Sequence, residues 1–100
     1  MYKILVVDDE NLIRQGIIAQ LEFLNYGFDE ILEADTGNSA LRVLRESNPD
    51  IVITDISMPE MDGLSFVEEA KKEREGTKFI LLSGYAEFSY AQKAISLGIS

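Results

Sequence analysis

One hundred residues, 46% of them apolar, suffice for one compact domain with a genuine core, and no low-complexity tract argues for disorder. Eighteen acids against nine bases leave a net charge of −9, which argues against a nucleic-acid surface and suits a protein that meets cations or basic partners. The absence of cysteine excludes disulfides and thiol chemistry and fits a cytoplasmic setting, while the absence of histidine removes the commonest general base and zinc ligand.

In chain order, "KILVV" (3–7) reads as a strand. Its apolar run is too short for a signal peptide or a membrane span. Glu10 to about Leu24 follows as a helix, with Leu12, Ile13, Ile17, Leu21 and Leu24 on one stripe. "EILEA" (30–34) is a weaker, peripheral strand, and Thr36, Gly37 and Asn38 make a turn. Ala40, Leu41 and Leu44 mark the next helix, which stops before Pro49. "DIVIT" (50–54) is a second strongly apolar strand. Gly63 to Arg74 is helical with Leu64, Val67 and Ala70 inward, and "KFILL" (78–82) is a further strand. Glu87 to Leu97 closes the order as a helix with Ala91, Ala94 and Ile95 inward and Gly98 as its stop. No linker, repeat or second domain interrupts residues 1–100.

Regular alternation of strand and helix implies an α/β fold, a parallel sheet with helices on both faces. The strand carrying Glu30 and Glu33 suits an edge, so the predicted order is 2-1-3-4. That order puts a topological switch between strands 1 and 3, and ligands bind outside the carboxyl ends of strands at such a point. Strand 1 ends in Asp8 and Asp9, strand 3 in Asp55. All three acids should converge on one crevice.

Two unit charges about 4 Å apart repel by roughly 4 kcal/mol at an effective dielectric near 20. Three clustered acids therefore call for a proton or a cation. Oxygen donors without His or Cys select a hard divalent ion such as Mg²⁺, which leaves room for a phosphate. In this reading Asp55 is the nucleophile, Asp9 the principal metal ligand and Asp8 a support. The plainer reading stays open: Asp9 before Glu10 fits a helix N-cap, and any one acid fits a solvated loop. Pro59 and Gly63 in "MPEMDG" punctuate any strand-to-helix loop, or else stiffen the exit beside Asp55 and allow tight entry into the next helix. Ser83 at the end of strand 4 offers a hydroxyl to a phosphate on Asp55, or simply a turn with Gly84. Tyr85, Phe88 and Tyr90 fit core packing and a partner surface equally.

"ILVVDDE" (4–10), "PDIVITDISMPEMDG" (49–63) and "FILLSGY" (79–85) together resemble the receiver domain of two-component response regulators, in order and spacing. The resemblance covers the whole chain and implies a flavodoxin-like doubly wound sheet. It implies that Asp55 is the phosphoacceptor, that Asp8, Asp9 and Asp55 hold Mg²⁺ together with the backbone carbonyl of Ser57, and that Ser83 is the switch hydroxyl. It also implies a sensor histidine kinase as phosphohistidine donor, consistent with a chain that has no histidine. "SGYAEFSYAQKAISLG" (83–98) is similar to regulators that carry an AraC-type DNA-binding output domain further on, so transcription is the expected output, without direct nucleic-acid or membrane contact by this chain.

The sequence departs from the family at "GIS" (98–100), where a fifth strand bearing a phosphate-binding lysine, and then a fifth helix, are expected. The expectation is a C-terminally incomplete receiver whose strand 4 and last helix offer a dimerisation surface. Two rivals remain. A haloacid-type phosphohydrolase places a second Asp two residues after its nucleophile, where this chain has Ser57. A pseudo-receiver would bind without being phosphorylated.

Overall fold

Four parallel strands alternate with three helices in the computed structural model, which describes residues 2–24, 27–58 and 60–82. The order is β1 (Tyr2–Val7), α1 (Asn11–Leu24), β2 (Phe28–Ala34), α2 (Gly37–Ser47), β3 (Ile51–Asp55), α3 (Gly63–Glu73) and β4 (Lys78–Leu82). Across the sheet the strands run β2-β1-β3-β4, as the patterning predicts. The expectations for Pro59, Ser83, Gly84, the Tyr85–Phe88–Tyr90 cluster, the helix over Glu87–Leu97 and Gly98 lie outside the described residues.

Registry explains why one face of the sheet is the core. Leu5 pairs with Leu32 and Val52, and Val52 pairs with Phe79, so one row of side chains crosses all four strands. Alternation puts Val7, Ala34, Thr54 and Leu81 on the same face. Helices α2 and α3 cover it with Ala40, Leu41, Leu44, Phe66, Val67 and Ala70, all buried. Phe66 meets Phe79 edge to face, ring centroids 6.3 Å apart at 76°. That arrangement sets the positive ring edge against a negative face.

Both covering helices have defined ends. Thr36 caps α2: its side chain accepts from the Ser39 N–H (3.0 Å), while the Ser39 hydroxyl accepts from the Thr36 N–H (3.1 Å). Asn48 ends α2 in the left-handed region at φ 50°, which asparagine tolerates better than most residues. Asp62 caps α3 by accepting from the Ser65 N–H (2.8 Å).

Helix α1 lies on the opposite face, over Ile4 and Val6, and here the predicted stripe needs correction. Leu12 is 86% exposed and Ile13 46%, so neither packs inward. The partly buried positions are Arg14, Ile17, Ile18 and Leu21, a stripe at i, i+3, i+4 and i+7. An arginine heads that stripe, so a count of apolar residues alone rotates the helix the wrong way. The side chain of Leu24 lies outside the description. On β4, Ile80 and Leu82 on this same face are 38% and 39% exposed.

Candidate functional site

The carboxyl ends of β1 and β3 lie side by side, since Val7 pairs with Thr54. At the first of these ends the Asp8 N–H completes the β1–β2 ladder by donating to the Ala34 carbonyl (3.1 Å). Asp8 then turns its own chain, because its Oδ1 accepts from the Glu10 N–H (2.9 Å). The Glu10 carbonyl accepts from the Arg14 N–H (3.0 Å) at the start of α1. Asp9 therefore precedes the cap position, and its N-cap reading does not hold. Asp8 is buried, 2% exposed, while Asp9 is open to solvent.

At the second end, β3 delivers Asp55 and the chain leaves under tight control. The Ile56 N–H donates to the Leu82 carbonyl (3.3 Å), and the Ile56 carbonyl accepts from the Gly63 N–H (2.7 Å). Ile56 and Met58 are both buried, which pins the loop to the core. A side chain at position 63 has no room, because a Cβ there would run into the Asp55 carbonyl oxygen. Glycine is thus required by close approach of two backbone segments rather than by its dihedral angles. Glu60 adopts φ 67°, a left-handed conformation uncommon for a non-glycine residue.

The three predicted acids meet. Asp8, Asp9 and Asp55 each offer a carboxylate oxygen, and these oxygens lie within 4.8 Å of one another. The cluster perturbs Asp55, whose pKa is raised from 3.8 to about 6. Burial of the carboxylate is the main cause, followed by the negative charge of Asp8 and more weakly by that of Asp9. The backbone N–H dipoles of Ile56 and Ser57 beside the carboxylate oppose the rise. An all-oxygen donor set under mutual repulsion, without nitrogen or sulfur, is chemically suited to Mg²⁺. Ser57 is exposed in the loop, two residues beyond Asp55.

One residue at this end escaped the reading of the sequence. The Arg14 guanidinium donates from Nε to Glu33 Oε1 (2.8 Å), from one terminal nitrogen to the Asp8 carbonyl (2.8 Å) and from the other to Asn11 Oδ1 (2.7 Å). Its only advance signal is a helical spacing shared with Ile17, Ile18 and Leu21.

No helix among the described residues is long and apolar enough to cross a membrane. The family model of the response regulator receiver domain matches residues 4–100. The chain is 39% identical over 99 residues to the transcriptional regulatory protein YesN of Bacillus subtilis (strain 168), spanning 99% of this chain but 27% of that relative. Among solved structures, the receiver domain of AraT, a response regulator from Geobacillus stearothermophilus, superposes with a TM-score of 0.90 at 36% identity, covering 99% of this chain and 77% of that one. A two-component transcriptional regulator AraC from Clostridium phytofermentans ISDg gives 0.84 at 37% identity over 90% and 73% of the two chains. With that match along almost its whole length, and with the strand order and the acidic crevice in place, the chain belongs to the response regulator receiver domain family.

Proposed function

We propose that Asp55 is the phosphoacceptor of a two-component signalling system and takes a phosphoryl group from the phosphohistidine of a sensor kinase. The observation that carries this reading is the meeting of three carboxylates from two strands within 4.8 Å. With a pKa of about 6, Asp55 is ionised at neutral pH, as a nucleophile must be. One of its oxygens bonds to phosphorus as the P–N bond of the donor breaks, and the departing imidazole keeps the bonding pair and takes a proton. The acyl phosphate formed carries about two negative charges where the carboxylate carried one.

Asp8, Asp9, Asp55 and the Ser57 carbonyl are the groups that would hold Mg²⁺. Bound there, the ion neutralises charge on the transferred group, the chief need in phosphoryl transfer. The Ile56 and Ser57 N–H groups orient the Asp55 carboxylate, and the buried Ile56 and Met58 keep their loop from drifting. Ser83, the residue after β4, is assigned the switch hydroxyl that moves toward phosphorylated Asp55. The domain catalyses only its own phosphorylation and dephosphorylation, and is not a turnover enzyme.

The chain spans about a quarter of YesN, so the output belongs to the longer protein. Our reading is a cytoplasmic regulator whose receiver controls an AraC-like DNA-binding domain, and hence transcription. Self-association along β4 belongs to the same reading, supported by the exposed Ile80 and Leu82. The direct test incubates the chain with Mg²⁺ and a small acyl phosphate and seeks one acid-stable, base-labile phosphate by mass spectrometry. Labelling should vanish in Asp55→Asn; equal labelling of that variant places the nucleophile elsewhere.

A further inference from the structure

We infer that Arg14 is a positioning residue for the acidic pair, fixing the peptide plane between Asp8 and Asp9 and so the direction in which Asp9 presents its carboxylate. The inference rests on the reading of Asp8, Asp9 and Asp55 as the Mg²⁺ site and names a part of the machinery outside it.

The geometry is specific. The carbonyl that Arg14 engages at 2.8 Å belongs to the peptide joining Asp8 to Asp9. Asp8 itself is anchored on two other sides, through its N–H to the Ala34 carbonyl and its carboxylate to the Glu10 N–H. Those two bonds pin the entry and the exit of the turn, at the Asp8 and Glu10 N–H groups. The Arg14 bond holds the peptide between them by its carbonyl oxygen, a third point that fixes its plane.

Arg14 is in turn held from two directions. Glu33 on β2 takes its Nε and is itself braced by Gln15 Nε2 (2.7 Å), while Asn11 takes the remaining terminal nitrogen. The Arg14 side chain is only 13% exposed, so the fork is largely shielded from competing water. Three bonds at fixed angles from one planar group are a task for guanidinium and not for the point charge of lysine. The outer edge strand is thereby tied to the turn that carries the acids. Asp9, exposed and beyond the end of its strand, otherwise depends on the chain alone for its direction.

The test measures Mg²⁺ affinity by calorimetric titration of the whole chain in wild type, Arg14→Met, Arg14→Lys and Asp55→Asn, with urea unfolding in EDTA alongside. Both Arg14 variants should bind Mg²⁺ roughly tenfold more weakly, the usual scale for loss of a group that orients a metal ligand. At saturating Mg²⁺ their acyl-phosphate labelling should return to the wild-type rate, since the affinity and not the chemistry is altered. Wild-type affinity in both folded variants overturns the inference, as does rescue by lysine, which would make charge and not the fork the cause. If Arg14→Met does not fold, Glu33→Ala at the half-exposed edge removes the brace and should weaken binding by a smaller factor; unchanged affinity there counts against the inference. Carbonyl and amide NMR shifts of the Asp8–Asp9 peptide in EDTA give a readout free of metal. They should move in Arg14→Met, and identical shifts overturn the inference. Failure of wild type to bind Mg²⁺, or binding unaffected by Asp55→Asn, instead overturns the metal-site reading, and the NMR shifts still decide whether Arg14 holds the turn.

Discussion

Replacing Asp55 by asparagine should make the folded domain more stable at neutral pH in the absence of Mg²⁺, although it removes the proposed nucleophile. The effect is one of proton linkage. The native carboxyl titrates near 6 and an unfolded one near 3.8, so the native state binds the Asp55 proton more tightly. The resulting destabilisation is absent below the unfolded value, grows as pH rises and is complete above about pH 6. Taken in full, a rise from 3.8 to about 6 corresponds to about 3 kcal/mol. Asp55 is partly open to solvent, and screening brings the expected effect down to about 1–2 kcal/mol. Asparagine keeps an oxygen for the Ile56 and Ser57 N–H groups, so little else should change. Urea unfolding followed by far-ultraviolet circular dichroism, in EDTA at about pH 8 and about pH 5, measures the difference directly. The variant should lead at the higher pH, and its lead should shrink by roughly half at the lower one. Added Mg²⁺ should stabilise the wild type and leave the variant largely unmoved. A variant equal to or weaker than wild type at pH 8 in EDTA, or a lead that grows on acidification, would refute the account of Asp55 as a carboxylate raised by burial and like charge.

Two further expectations follow from the packing. Gly63→Ala drives a methyl group into the Asp55 carbonyl and should cost about 1–3 kcal/mol or more in urea unfolding. It should also slow acyl-phosphate labelling, because the strain falls on the backbone of Asp55, the proposed phosphoacceptor. Phe66→Ala empties the contact with Phe79 beneath the sheet and should cost about 3–5 kcal/mol. Its Mg²⁺ affinity at low denaturant should stay near wild type, since Phe66 belongs to the apolar cluster and not to the group of acids.

Much of this domain is written in local periodicity. Short apolar runs and period-3.6 stripes mark each described strand and helix to within a few residues, and the acidic edge strand settles its place beside β1. Once β1 and β3 are adjacent and parallel, Asp8, Asp9 and Asp55 have to meet, because they end neighbouring strands that run the same way. The requirement for Gly63 was legible as punctuation, though its cause, the Asp55 carbonyl, was not. The sequence also misdirected in one place. Leu12 and Ile13 are apolar and face solvent, while Arg14 turns inward.

The composition and order of the chain thus determined the element types, the strand order and which acids share a crevice, since those depend on spacing along one polymer and on the handedness of its connections. Only the tertiary structure decided which way α1 rotates, how far Asp55 is perturbed and what holds the Asp8–Asp9 turn. Each of those is a sum over partners distant in sequence. A guanidinium can replace an aliphatic residue on an inward stripe only when Glu33 and the Asp8 carbonyl arrive to receive it, and a carboxylate loses its water only when the neighbouring strands have closed around it.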